Sequence, residues 1–333
     1  MRRVAFRTLV YAAIGIVARP AFSGAEQVSV DRNLSVMGTY VHIAVTAPTR
    51  ERAVAVSERV VKELEATEAE LSTWRSESAL SKINRLKTGS SYRASPELAN
   101  ELSEALLCQQ MTEGNFSPFL GKLISVWKLR SPKPAAAPDS NEIQKALSPI
   151  AEPAFAVKGG DVTRKVGEAD WEEGGFGKGA ALDRALRAVA AGDVRVVINL
   201  GGQLAVSQGS PVRTDLGSLS LSIDRGSIST SGHDHRPGHI LDPTTGRPAR
   251  DFGQLSVWTD SALRADCLST GLYVMGPKRA FAWSLRHPDV QLVVRSGGEL
   301  YASCTLKSKI ENQKQVHFIC GVDDISTYFK EST

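Results

Sequence analysis

The chain has 333 residues, with 40 Lys and Arg against 36 Asp and Glu, 42% hydrophobic and 6% aromatic residues. That is enough for one large or two ordinary globular domains, and it excludes a disordered or collagen-like chain. The first 25 residues hold four arginines and no acid, so the remainder carries 36 basic against 36 acidic groups. A neutral chain has no general field to hold a polyanion, and no basic run is interleaved with aromatics, which argues against nucleic acid as a partner.

The leading segment has a basic start, an apolar stretch from Leu9 to Ala18, and small residues Ser23 and Ala25 before Glu26. It reads as a cleavable secretory signal over 1–25, leaving 26–333 as the mature domain in the periplasm or another extracytoplasmic space. The apolar stretch is short for an uncleaved anchor. Arg2-Arg3 lacks the surroundings of a twin-arginine motif. No cysteine stands near the cleavage point for lipid attachment, and no later segment is long and apolar enough to span a membrane. The four cysteines are too widely spaced for a framework or a zinc ribbon. In an oxidising compartment Cys304 and Cys320 are the expected pair, each in a strand-like run flanking a polar hairpin, and Cys108 and Cys267 read as buried thiols.

In chain order, 36–45 alternates as a strand, and 50–74 places Val54, Val61, Leu64, Leu71 and Trp74 near one helical face. Pro96 opens a second helix to about Met111, and 114–129 starts with turn residues before another apolar, helix-like stretch. The Pro/Ala-rich segment 131–140 is a loop or linker. Short strands are expected at Ala154–Val157 and Val162–Val166. A glycine-rich turn over 174–179 then feeds a helix stopped by Gly192, and 194–207 forms two strands about Gly201-Gly202. Strands near 219–223, 226–230 and 255–259 precede helices over Ala262–Met275 and from Pro277, and a β meander closes the chain over 290–320. Helices and strands are interspersed without a regular βαβ repeat, which predicts an α+β fold with mixed, largely antiparallel sheets and packed helices.

Three segments can carry chemistry. In 171–183 the glycines allow close backbone approach to a ligand, the following helix offers free N–H groups, and Lys178 adds a charge. It is not a Walker A loop, because Glu172 stands where the first glycine belongs and Gly179 where Ser or Thr would bind magnesium; nor is a Gly-x-Gly-x-x-Gly fingerprint present. A tight packing turn is the plainer reading. In 264–276, Asp266 and Thr270 stand four apart on a predicted helix and share a face. A carboxylate and a hydroxyl so placed suit a hard cation such as magnesium, whereas the structural alternative is an Asp cap and a Thr bonded back to its own helix. The polar excursion 227–248 holds His233, His235 and His239, which invite a zinc or copper reading, but no Cys or Glu completes a familiar ligand spacing. His42, His287 and His317 are isolated. No Gly-x-Ser-x-Gly elbow or protease-like cysteine context is present.

Together, MGTYVHIAV (37–45), LSTWRSESALSKIN (71–84), GNFSPFLGKLISVW (114–127), GGFGKGAALD (174–183), VINLGGQ (197–203), STSG with HILDPTTGRP (229–248) and ADCLSTGLYVMG (265–276) resemble, in order, the ApbE-type FAD:protein FMN transferases over about residues 36–300. The resemblance implies a T-fold-like domain of two interleaved α+β subdomains. It also implies an exported, Mg²⁺-dependent enzyme that cleaves FAD, releases AMP and attaches FMN by a phosphoester to a Thr or Ser of an acceptor flavoprotein, in a Ser/Thr-Gly-Ala-Ser/Thr type of site.

By the same resemblance, Met37 opens the flavin site and Trp74 takes the place of a ring-stacking Tyr. Asn115, Phe116 and Ser117 contact FAD, with Ser117 where an Asp is usual. Glu172 is an acidic FAD contact and Lys178 lies near the phosphates. Ile240 gives a backbone contact, and His239 lies beside the pyrophosphate and orients or deprotonates the acceptor hydroxyl or stabilises the phosphates. Asp266 and Thr270 are the metal ligands, with the Gly175 carbonyl and the carbonyl of the adjacent Ser269, and Asp183 orders its helix. Two departures stand out: a short connection from Gly232 to His239, and Gln203 in place of a frequent Asp. Attack by water instead of an acceptor would make the protein an FAD pyrophosphatase; a non-catalytic FAD-binding or storage protein and an exported interaction module are the other readings.

Overall fold

The computed structural model describes residues 27–131, 136–148, 154–189, 192–209, 211–234, 237–311 and 313–329. The expected signal segment, part of the Pro/Ala-rich stretch and His235 lie outside the described residues. The chain opens with β1 (Val28–Val36) and β2 (Thr39–Ala47), joined by Met37 and Gly38 at φ 53° and 68°. Such a two-residue, positive-φ turn matches the twist of its strands and sets Met37 at the hairpin tip. Thr49 caps α1 (Arg50–Leu71), accepting from the Arg52 N–H at 3.2 Å. The buried stripe of α1 runs through Ala53, Val56, Val60, Leu64 and Leu71. Val54 and Val61 border it rather than lying in it, and Trp74 falls past the helix end, 68% exposed.

Next come α2 (Ala79–Asn84), β3 (Ser91–Arg93) and α3 (Pro96–Met111), the last starting at its proline behind a Ser95 cap. The stretch 114–129 opens with turn residues, as expected, and then forms α4 (Gly121–Val126). Gly114 takes φ 79°, and Ser117 precedes a proline, a position that disfavours helical backbone. The elements α5 (Ser140–Leu147), β4 (Phe155–Lys158) and β5 (Asp161–Arg164) follow, with β3, β5 and β4 forming a small sheet.

A 3-10 turn at Glu173–Gly175 leads into α6 (Gly177–Ala188). Beyond it lie β6 (Arg195–Leu200), β7 (Gln203–Val206), β8 (Val212–Leu216), β9 (Leu219–Ile223), β10 (Gly226–Gly232) and β11 (Gly253–Thr259). The chain ends through α7 (Ala262–Met275), α8 (Pro277–Ser284), β12 (Gln291–Ser296), β13 (Glu299–Ser303), β14 (Val316–Ile319) and α9 (Val322–Tyr328). The expected closing meander holds for β12 and β13 only. A 3-10 excursion after β13 carries the chain back so that β14 pairs with it in parallel.

Nine strands form one sheet in the order β1-β2-β6-β7-β10-β11-β12-β13-β14, antiparallel except for the last pair. One face packs on helices: Ile43, Ile198 and Ala205 against α1 and α6, and Leu255, Val257, Leu292 and Val294 against α3, α7 and α8. The other face, through Val197, Leu204, Ile228 and Val293, is covered by the β8–β9 hairpin. Strand alternation turns Ser227, Ser229 and Ser231 of β10 to the helix side, in register with Val257 and Leu255 of β11. A row of hydroxyls therefore lies under α7. No helix among the described residues is long and apolar enough to cross a membrane.

The pairing of Cys304 with Cys320 is observed, though Cys304 starts the 3-10 excursion and Cys320 follows β14, so no hairpin separates them. The expectation of buried thiols at Cys108 and Cys267 is overturned. Packing of α3 on α7 brings their Cα atoms to 6.2 Å and the two form a second disulfide across 159 residues. Their burial is as expected, with 1% and 0% exposure; the partnership depends on a helix contact that spacing does not reveal. Alkylation of the denatured, unreduced protein should label no thiol, and peptide mapping should return Cys108 linked to Cys267. A labelled Cys108 would refute that bond.

Candidate active site

The α6–α7 crossing organises the site. A Cβ on Gly179 would lie 2.3 Å from the Ala262 carbonyl oxygen and 2.5 Å from Leu263 Cα, so glycine is what lets the two helix starts touch. At this contact each helix caps the other. Asp183 of α6 accepts from the Ser261 hydroxyl at 2.8 Å and from the Ala262 and Leu263 N–H groups at 2.8 and 3.1 Å. Asp266 of α7 accepts from the Gly179 N–H at 3.1 Å. Both carboxylates satisfy amides left open at a helix N-terminus and meet its positive dipole end. Asp183 thus orders α7 in addition to standing on α6.

Asp266, 3% exposed, also pairs through Oδ1 with Lys178 Nζ at 3.2 Å and accepts from the Ser229 hydroxyl at 3.4 Å. Ser269 and Thr270 lie on the same helical face. Their hydroxyls bond back to the Asp266 carbonyl at 2.9 and 3.3 Å and reach Ser231 at 2.9 and 3.5 Å. The Thr back-bond of the structural alternative is therefore present, whereas Asp266 caps α6 and not its own helix, which Ser261 caps. All of these groups belong to one cluster of oxygen donors. Ser229 and Ser231 escaped the sequence reading; the alternation of SISTSG is the signal that could have found them.

Gly175 joins this cluster through Phe116. That ring is 3% exposed, 2.9 Å from where a Gly175 Cβ would stand, while its own Cβ lies 2.9 Å from that of a Gly271 alanine. Phe116 is a wedge between the glycine turn and α7. Asn115 donates to the Thr112 carbonyl at 2.8 Å, and the Ser117 hydroxyl accepts from the Phe119 N–H at 3.2 Å. Both side chains shape the bend here. Met37 reaches over from its hairpin, with its Cε 3.5 Å from where a Cβ on Gly177 would stand.

Glu172 sits at a second focus. Asn84 clasps the Trp171 backbone with two 2.9 Å bonds, and the Glu172 N–H donates to the Pro118 carbonyl at 2.8 Å. Its carboxylate meets the Arg130 guanidinium, which also bonds Thr73 and lies 4.7 Å over the exposed Trp74 ring. Arg130 escaped the sequence reading because nothing in its neighbours marks it. Burial, with Glu173 beside it, outweighs Arg130 and pushes the Glu172 carboxyl up to about 7. Among the described residues no three His, Cys, Asp or Glu side chains gather as a metal site. His233 is buried and bonded to backbone, and its ring meets His239 edge-on at 5.8 Å. Ile240 is buried, its carbonyl accepting from the Ala249 N–H at 2.9 Å.

The ApbE family model matches residues 37–294, a span that contains every one of these residues. The chain belongs to the ApbE family. Among the relatives of this ApbE chain, the FAD:protein FMN transferase of Vibrio cholerae is 27% identical over 73% of this chain and 81% of the relative. That of Escherichia coli K12 is 24% identical over 79% and 82%. The crystal structure of the ApbE protein of Thermotoga maritima superposes with a TM-score of 0.77 at 23% identity, covering 84% of this chain and 99% of that one. The flavin transferase ApbE of Vibrio cholerae gives 0.75 at 21% identity, covering 85% and 100%.

Gly179→Ala overpacks the crossing and should cost about 1–3 kcal/mol in urea unfolding, whereas Gly192→Ala, with nothing within 4 Å of the new methyl, should stay within about 0.5 kcal/mol. Because the folded Glu172 binds its proton more tightly than the unfolded chain, its stabilising contribution is complete below about 4.5 and fades as pH rises through about 7. Glu172→Gln lacks this loss, so its stability relative to the parent should rise by about 1–2 kcal/mol between pH 5 and 8; a constant gap would contradict the assignment.

Proposed function

We propose that this ApbE-family chain transfers the FMN half of FAD to a Ser or Thr hydroxyl of an acceptor flavoprotein and releases AMP. The observation that carries the reading is the cluster in which buried Asp266 and Ser269 and half-buried Thr270 and Lys178 converge at the start of α6. A pyrophosphate carries negative charge that repels an incoming oxygen. The Lys178 ammonium and the positive end of α6 offset it.

The donor set fits a magnesium ion. The Asp266 carboxylate, the Thr270 hydroxyl and the Gly175 and Ser269 carbonyls are all hard oxygen donors, and the carboxylate is buried with Lys178 as its cationic partner. Bound by these groups, magnesium would neutralise the pyrophosphate and stabilise charge developing at phosphorus. The acceptor oxygen attacks the FMN-side phosphorus, the bond to AMP breaks, and His239 takes the hydroxyl proton.

At the other focus the exposed Trp74 ring offers a stacking face for the isoalloxazine, with Arg130 and Glu172 behind it, Met37 at the opening, Asn115, Phe116 and Ser117 at the bend, and Ile240 giving a backbone contact. A Ser/Thr-Gly-Ala-Ser/Thr segment is the acceptor site we assign. The two disulfides fit an oxidising compartment, which supports reading residues 1–25 as an export signal.

Purified protein mixed with FAD, Mg²⁺ and a flavodomain bearing that segment should leave flavin fluorescence on the acceptor in a denaturing gel, and EDTA should abolish it. AMP without a labelled acceptor would replace transfer by FAD hydrolysis; bound FAD without AMP would leave a storage protein. Asp266→Ala should lower turnover about 100-fold or more while most FAD binding persists. Unchanged turnover would reject the metal assignment.

A further inference from the structure

We propose that His233 is a positioning residue that fixes His239, and that the reaction depends on it through that imidazole. The proposal rests on the reading of His239 given above. His233 is 5% exposed. Its Nδ1 accepts from the Gly238 N–H at 3.1 Å, and its Nε2 lies 3.1 Å from the Ala249 carbonyl. A backbone N–H can only donate and a carbonyl only accept, so these partners select the neutral tautomer with the proton on Nε2. Ala249 in turn donates its N–H to the Ile240 carbonyl at 2.9 Å. Both chain neighbours of His239 are therefore tied to His233, Gly238 directly and Ile240 through Ala249.

The clasp is anchored to the helix that carries the cluster. The His233 ring packs edge-on against Tyr273 at 5.5 Å, and Tyr273 stacks on Phe252 at 4.5 Å while its hydroxyl donates to Asp251 at 3.1 Å. Tyr273 lies on the helical face of Asp266, Ser269 and Thr270, at i+7 from the aspartate. α7 thus sets the oxygen cluster directly and the His239 imidazole at one remove, through Tyr273 and His233. A histidine that merely filled the core would leave the chemistry of His239 untouched, which makes the two roles separable.

The test compares full-chain His233→Phe, His233→Asn and His239→Ala, and the first two in the His239→Ala background, in FAD-dependent labelling of the flavodomain. Phe keeps a ring and loses both hydrogen bonds. Asn places an amide oxygen near Nδ1 and keeps the bond to Gly238. We expect His233→Phe to lower kcat about 10- to 100-fold with KM for FAD within about twofold, and His233→Asn to recover most of that loss. In the His239→Ala background neither change should lower the residual rate further.

Wild-type kcat in His233→Phe, no recovery in His233→Asn, or an equal fractional loss without His239 would each overturn the proposal while the role of His239 stands. A fully active His239→Ala would overturn both. Should His233→Phe fail to fold, the Asn variant decides. A few-fold loss that vanishes without His239 supports the proposal, and the same loss in both backgrounds ends it.

Discussion

The oxygen cluster of the site follows from two helix starts meeting at a residue without a side chain. The N-terminus of a helix leaves amides unsatisfied and a partial positive charge exposed. When two such ends are brought together, the arrangement is stable only if negative charge is supplied to both. α6 supplies Asp183 to α7 and α7 supplies Asp266 to α6. The reciprocity fixes the crossing, and the crossing delivers Lys178 to the Asp266 carboxylate. Asp266 is therefore required twice, by the fold and by the chemistry assigned to it. The hydroxyls beneath it are presented by β10, where every second residue from Ser227 to Ser231 is a serine.

Much of this is legible along the chain. α3 opens at Pro96 and α7 spans Ala262–Met275 as the pattern predicts, and the four-residue spacing of Asp266 and Thr270 survives as a shared face. What stays hidden depends on contacts across the fold. Arg130 acquires its role from a loop that returns to Thr73, Trp74 and Glu172. Ser229 and Ser231 matter because α7 lies over their side of the sheet. Asp183 reads as a residue of its own helix until the neighbouring helix start is seen. The closing strands mislead because a parallel return leaves no mark in local alternation.

Trp74 stands where sequence pattern and packing part. Its spacing from Leu64 and Leu71 suggests a core residue, yet it is the most exposed tryptophan, on a turn beyond the helix, with a guanidinium against its ring. A large apolar surface left in water beside a buried acid and a cation is costly for the fold, and it makes sense as a surface for a flat aromatic guest. The buried phenylalanine at 116 has the opposite role, filling the space between two glycines so that the turn and the helix keep their distance.

The bond between Cys108 and Cys267 has an effect on chain topology. From Asn115 to Asp266, the residues assigned to chemistry are enclosed in a covalent ring closed by sulfur. A single clip by a protease in the exposed stretch around Ala136 and Ala137 would yield two polypeptides that cannot diffuse apart, so that their complementary surfaces remain at a high effective concentration.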